Sequence, residues 1–156
     1  MTPFFNVIDT LTSALKAEPF TNTVTFGDLD DVDLKKTTIY PLAHIIINTA
    51  TIDQQTILMN ISILLADIVS EKKDKVWLNS SVNVVEKRDN NEQEVLNTQL
   101  AIASRLMAKL QQGDLYQSKY QLNGTASLDP FVDRFENKIV GWSMTFDLEI
   151  PNEITV

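Results

Sequence analysis

A cluster of acidic side chains near residue 30 is the feature of this sequence most able to bind a metal ion. Its members are Asp28, Asp30, Asp31 and Asp33. A calcium-binding EF-hand loop that began at Asp28 would need Asp or Asn at its fifth position, Gly at its sixth and Glu at its twelfth. Those positions hold Val32, Asp33 and Ile39. We therefore predict a solvated loop, with a metal site or a partner-docking site as the alternative.

The other residues that could do chemistry lack the partners that chemistry needs. His44 is the single histidine, and a catalytic triad or a two-histidine zinc site requires more. We predict a hydrogen-bonded structural role for it. The chain has no cysteine, and its four glycines are too scattered to cradle a phosphate. Four carboxylates lie near one another in the sequence, but paired carboxylates of the glycosidase type need a cleft, which one polar strand face does not predict. They are Asp133, Glu136, Asp147 and Glu149. We therefore predict no enzyme activity, no catalytic residue and no cofactor.

Length and charge limit the classes of protein to which this chain can belong. The 156 residues favour a single domain, residues 1–156. The net charge of −8 argues against specific nucleic-acid binding, which needs Lys and Arg to neutralise phosphates. No apolar run approaches the length that spans a bilayer, and the first residues do not resemble a signal peptide. We therefore expect no membrane association and synthesis in a cytoplasm.

Apolar periodicity predicts two helices and a mostly antiparallel sheet. The helices cover residues 3–17 and 91–112. Their predicted inward stripes are Phe4, Val7, Ile8, Leu11 and Leu15 in the first, and Val95, Leu96, Leu100, Ala103, Leu106, Met107 and Leu110 in the second. The predicted strands cover residues 21–26, 42–52, 56–69, 119–123 and 138–150, with a hairpin turn at 53–55 and a turn at Asn123-Gly124. Residues 70–90 show no clear pattern, and Val82, Val84 and Val85 fit either a short strand or a loop. Helices segregated against such a sheet define an α+β fold.

The last strand alternates without interruption between apolar and polar residues. The apolar face holds Val140, Trp142, Met144, Phe146, Leu148 and Ile150. Because side chains alternate across a strand, this face should pack against the core. Gly141 lies inside the strand, where glycine often marks a kink or the close approach of another backbone. Two interpretations remain open for Gly141: a kink in the sheet, or contact with a neighbouring subunit.

Four segments resemble small neck and tail proteins of tailed bacteriophages, including crAss-like phages of Bacteroidetes. They are residues 36–44, 60–64 with 67–69, 99–113, and the stretch DRFENKIVGWSMTFDLEIPN at 133–152. The order of helix, hairpin, helix and strand is also similar to tail terminator proteins of long-tailed phages, which pack two helices on one face of a sheet and assemble as rings. The resemblance therefore implies a tail-terminator-like α+β fold.

The resemblance also implies a structural virion protein, made in the host bacterial cytoplasm. It would form a homo-oligomeric ring of six or twelve copies, as a tail terminator or head–tail connector (neck) subunit. Its partners would be neighbouring neck, portal-side or tail tube proteins, and DNA would pass through the lumen. The residues expected at an interface or facing the lumen are Asp28, Asp30, Asp31, Asp33 and Gly141. Two alternatives remain open: a tail tube or baseplate-associated subunit, and a small intracellular binding module unrelated to phages.

Overall fold

The computed structural model describes residues 3–28, 39–69, 76–79, 84–87, 92–113, 120–132 and 139–152. They form two helices, α1 (Pro3–Lys16) and α2 (Glu92–Gln111), and seven strands. The strands are β1 (Thr23–Phe26), β2 (Leu42–Ile52), β3 (Thr56–Ile68), β4 (Val76–Asn79), β5 (Val84–Lys87), β6 (Gln121–Val132) and β7 (Ile139–Pro151). Strands β4 and β5 lie where the sequence showed no pattern, and they pair with each other in a separate antiparallel ribbon. Neither described helix is long and apolar enough to cross a membrane.

The main sheet has five strands in the order β1-β2-β3-β7-β6. The β2–β3 hairpin forms as predicted, and its turn closes with a hydrogen bond from Asp53 N to Thr56 O. Strand β3 also pairs along its whole length with β7, so these two long strands form the centre of the sheet. Strand β1 runs parallel to β2, and every other pairing in this sheet is antiparallel.

Both helices pack on one face of this sheet, which confirms the predicted α+β class. Helix α1 buries Val7, Leu11 and Leu15, which lie at intervals of four residues and so form one stripe. Helix α2 lies over the other half of the same face. The two helices bury a single apolar cluster against the odd-numbered residues of β3 and the even-numbered residues of β7. The cluster includes Ile102, Leu106, Leu110, Ile61, Ile63, Met144, Phe146 and Leu148.

Strand β7 shows the predicted alternation, with five of its six apolar positions buried. Trp142 is the exception: its ring is half-buried, and its Nε1–H donates a 2.8 Å hydrogen bond to Leu96 O in α2. At the start of β7 the opposite face is buried as well. There Ile139 joins Phe131 and Leu42 in a second, smaller apolar cluster on the face opposite α1 and α2, which we call the helix-free face because no described helix covers it. The alternating pattern of β7 therefore predicts correctly which residues face the helices. It does not predict the second apolar cluster on the opposite face.

Three expectations were wrong in detail. Phe4 and Leu100 were assigned to inward stripes, but they are 39% and 37% exposed. In α2, Ile102 is buried instead. The predicted strand 119–123 continues as β6 to Val132, because Asn123-Gly124 forms an irregularity inside the strand and not a turn that ends it. Gly124 has φ of +79°, a conformation that glycine adopts without steric cost and that lets the strand continue beyond the irregularity.

Candidate assembly surfaces

The predicted interface residues lie in different surroundings. Asp28 lies two residues after the end of β1 and is exposed. The other three aspartates of the acidic cluster, Asp30, Asp31 and Asp33, lie outside the described residues, so the assignment of this loop to a lumen stays a prediction. Among the described residues, no group of three or more His, Asp or Glu side chains is placed to hold a metal ion.

Gly141 is buried in the sheet, opposite Ala66 of β3. A Cβ at this position would collide with the Leu65 carbonyl oxygen and would lie 2.9 Å from the Ala66 Cα. Only a residue without a side chain allows the two backbones to approach this closely. The neighbour that requires glycine here is therefore β3 of the same chain. Contact between Gly141 and another subunit stays a prediction.

His44 is fully buried in β2 beside the edge strand β1. Its Nε2 lies 2.9 Å from Gly27 O, and its Nδ1 lies 2.6 Å from the Thr25 hydroxyl. A carbonyl oxygen can only accept, so Nε2 carries a hydrogen, and in the neutral ring Nδ1 accepts from Thr25. His44 thus ties β1 and the residue after it to the sheet, which is the hydrogen-bonded structural role expected from its isolation in the sequence.

A ladder of polar side chains crosses the helix-free face of the three central strands. Asn48 lies at an irregularity of β2, and its side-chain amide donates to Asn60 Oδ1 and Ser62 Oγ, both at 2.8 Å. The Asn60 amide donates in turn to Asp147 Oδ1 at 2.8 Å, and the hydroxyls of Ser62 and Thr145 lie 3.0 Å apart. The side chains bonded to Ser62 are an amide and a hydroxyl, and neither is a base that could activate it as a nucleophile. The ladder aligns neighbouring strands.

Charged side chains join the helices and line the end of β3. The Arg105 guanidinium of α2 donates to Glu18 Oε2 through Nε and Nη2, both at 2.8 Å, and this hydrogen bond raises the pKa of Arg105. Glu18 is buried just after α1, so the pair connects the two helices.

In β3, partial burial raises the pKa of Asp67, and the hydrogen bond that its carboxylate accepts from Ile68 N opposes that effect.

The two edges of the main sheet differ in chemistry. In the described part of the chain, no strand pairs with the outer side of β1 or of β6. The β1 edge has neither a charge nor a proline, the residues that usually prevent association of exposed edges. The β6 edge contains the irregularity at Gly124 and also Pro130, which cannot donate a backbone hydrogen bond. Strand β6 is therefore poorly suited to extend the sheet by backbone pairing.

Three phenylalanines form an exposed patch at the β1 edge, which we call the aromatic edge patch: Phe4, Phe5 and Phe26. Phe5 is 66% exposed and Phe26 is 45% exposed. The Phe4 ring meets Phe5 edge-to-face at 6.2 Å between centroids, and it meets Phe26 in the same way at 5.6 Å. Contiguous exposed apolar surface on a small protein commonly marks a contact with another molecule.

An apolar groove lies at the opposite edge, between α2 and β6. Its volume is about 330 Å³, and we call it the α2–β6 groove. It is lined by Ala103, Ser104, Met107, Ala108, Gln111, Leu122, Thr125, Ala126 and Leu128, none of them charged. Leu122, Ala126 and Leu128 also pack against the main core, so the floor of the groove is continuous with it.

Sequence reasoning missed both surfaces. The consecutive Phe4 and Phe5 were a signal for the patch, because two adjacent helical residues cannot both face the core. The groove had no such signal, since it depends on β6 continuing past Gly124 to lie beside α2.

Comparison of the sequence with models of known protein families found no match, and comparison with curated proteins found none either. The resemblance to phage neck and tail proteins therefore stays a prediction, and a function has to be argued from the geometry.

Proposed function

We propose that this protein is a structural subunit that assembles side by side into a closed ring, serving in a tailed-phage virion as a tail terminator or neck protein. The observation that carries the proposal is the pair of unlike edges on one sheet. One edge presents exposed aromatic rings, and the other presents an uncharged groove. Unlike surfaces at opposite ends of a subunit support heterologous contacts, which close into rings when the rotation per subunit divides a full turn.

The rest of the fold supports a structural role. The central strands β3 and β7 are long, and they pair with each other over the full length of β3. Side-chain hydrogen bonds connect them on the helix-free face. The net charge of −8 suits a ring through which DNA moves without adhering, because acidic side chains repel phosphates. The partners in this proposal are further copies of the chain and the adjacent virion proteins. The proposal includes neither a catalytic step nor a cofactor.

Electron microscopy tests the proposal directly. Negative-stain images of the purified protein should show annuli of uniform diameter. A reconstruction of the particles that carry the protein should show its density as one annulus in the neck or tail. Open stacks of protein would favour a tail tube subunit. Absence from particles, or density scattered over the capsid, would refute the virion ring.

The α2–β6 groove also favours a second candidate, a small binding module. Ligand sites are typically concave and mostly apolar, with volumes from about 300 Å³ upward. In that case the protein would remain a monomer and take a small apolar ligand between α2 and β6. Native mass spectrometry of the protein purified from its host would then show a monomer with a bound mass, and would show no assembly.

A further inference from the structure

The aromatic edge patch and the α2–β6 groove have the properties of the two halves of one contact. Phe4, near the start of α1, contacts Phe26, at the end of β1, edge-to-face. Phe5 is the most exposed of the three rings. The groove offers uncharged side chains and a floor continuous with the core. Burial of an aromatic ring against such a surface is a frequent centre of protein interfaces.

The two surfaces cannot meet within one molecule. The patch lies at the β1 edge and the groove at the β6 edge, with β2, β3 and β7 between them. Four strand spacings of about 4.8 Å place β1 and β6 about 19 Å apart. Both surfaces lie on the helix-covered side, because Phe26 shares its strand face with Val24, which packs against the main core. A second copy displaced sideways in the same layer can therefore bring its patch to the groove of the first.

The groove is large enough for this occupant. A dry apolar cavity of about 150 Å³ holds one benzene ring. The groove volume of about 330 Å³ is roughly twice that, so it can take one or two phenyl rings. The Phe5 ring already contacts Phe4 edge-to-face, and a ring whose rotamers are restricted before binding loses less entropy on association.

We propose that Phe5 of one copy inserts between α2 and β6 of the next copy, and that this is the subunit contact of the ring. The inference rests on the proposed function and specifies its interface. Direct pairing of β1 with β6 of the next copy is the less favourable geometry, since Pro130 and the irregularity at Gly124 interrupt the β6 edge.

Two exposed substitutions test the contact from its two sides. Phe5→Glu places a charge in the patch, and Ala108→Arg fills the groove. Each should weaken association at least about thirtyfold, which corresponds to loss of a hot spot worth about 2 kcal/mol. Phe20→Glu and Gln93→Arg are matched controls, since Phe20 is 57% exposed outside the patch and Gln93 is exposed near the start of α2, away from the groove. Sedimentation velocity at several protein concentrations measures all five proteins.

Mixing the two defective variants gives the sharpest result. The Phe5→Glu protein retains an intact groove, and the Ala108→Arg protein retains an intact patch. An equimolar mixture should therefore form dimers and nothing larger, although each variant alone is monomeric. This rescue also demonstrates that both variants are folded.

The absence of cysteine from the chain permits an independent check. A short bis-maleimide should link Asp9→Cys to Ser104→Cys across two copies in a mixture, because Asp9 is exposed one turn after Phe5 in α1 and its replacement leaves the Phe5 ring in place. It should link neither variant to itself. Linking of Asp9→Cys to itself would show a symmetric patch-to-patch contact and would overturn the inference.

Other outcomes separate the two proposals. If the wild type assembles and both variants assemble equally well, the inference is wrong and the ring can still stand on another contact. If the wild type remains monomeric at concentrations on the order of millimolar, the inference is overturned, because an interface this apolar should associate under those conditions. The proposed function would then still be decided by imaging of particles.

Discussion

Phe146 is among the largest side chains that the sheet and the two helices bury together. Phe146→Ala should lower the free energy of unfolding by roughly 3 to 5 kcal/mol, because the lost ring leaves a cavity that the long strands cannot close. Trp142→Phe is a useful comparison, since it retains a ring and removes the hydrogen bond to Leu96 O. It should cost about 1 kcal/mol. Urea denaturation measures both values, and equal effects would contradict the observed burial.

Asp67 provides a prediction with a defined pH dependence. Its pKa in the folded protein is raised above the ordinary value of 3.8, chiefly by burial. A raised pKa means that ionising this carboxyl costs folding free energy, and the cost grows as the pH rises from the unfolded pKa through the folded one. Asp67→Asn removes the charge and retains an oxygen that can accept from Ile68 N.

The Asp67→Asn variant should therefore unfold at a higher temperature than the wild type at pH 7. The two melting temperatures should converge below about pH 3, where the unfolded carboxyl is largely protonated as well. Thermal melts across this pH range make the comparison. A variant that is less stable than the wild type at pH 7 would show that the carboxylate makes a favourable contact.

At the scale of elements, Gly141 tests how closely β3 and β7 approach. Gly141→Ala pushes a Cβ into the backbone of β3, where no side chain can rotate away. We expect a loss of roughly 1 to 3 kcal/mol or more, as for other overpacked positions. Gly124→Ala is the control, because a Cβ there meets nothing within 4 Å and the cost comes from the positive φ alone, about 1 to 2 kcal/mol.

The same substitution also bears on the two interpretations of Gly141, a kink in the sheet or contact with a neighbouring subunit. Loss of stability in the monomer is the result expected from the close approach of β3. An unchanged melting temperature combined with failed assembly would instead indicate a neighbouring subunit at this position.

At the scale of the whole molecule, association has to overcome the repulsion between copies that each carry a net charge of −8. The proposed contact is apolar, so salt should screen the repulsion without weakening the attraction. We expect association to strengthen as sodium chloride rises from about 0.02 M to about 0.3 M, because the Debye length then falls from about 20 Å to about 6 Å. Sedimentation velocity measures this change. Weaker association at high salt would show that ion pairs hold the copies together.

The sequence by itself determined the elements whose signal is local. Strands β2, β3 and β7 were predictable because a pleated strand imposes a period of two on the residues facing a core. The helices were predictable from their own period, and the segregation of helices and strands then indicated the α+β class. The two hydrogen bonds of the buried His44 match the hydrogen-bonded position predicted for it, and the absence of a catalytic role for this residue stays a prediction.

Tertiary structure alone decided the features that depend on residues distant along the chain. The parallel pairing of β1 with β2 and the position of β7 between β3 and β6 follow from long-range pairing that periodicity does not encode. Phe4 matched the inward stripe of α1, yet it lies at the sheet edge beside Phe26. Gly124 looked like the end of a strand, yet pairing with β7 carries β6 past it and so creates the groove beside α2. The aromatic edge patch and the α2–β6 groove both depend on such distant neighbours. Whether a surface is exposed is decided by the residues that pack over it, and these residues are far away along the chain.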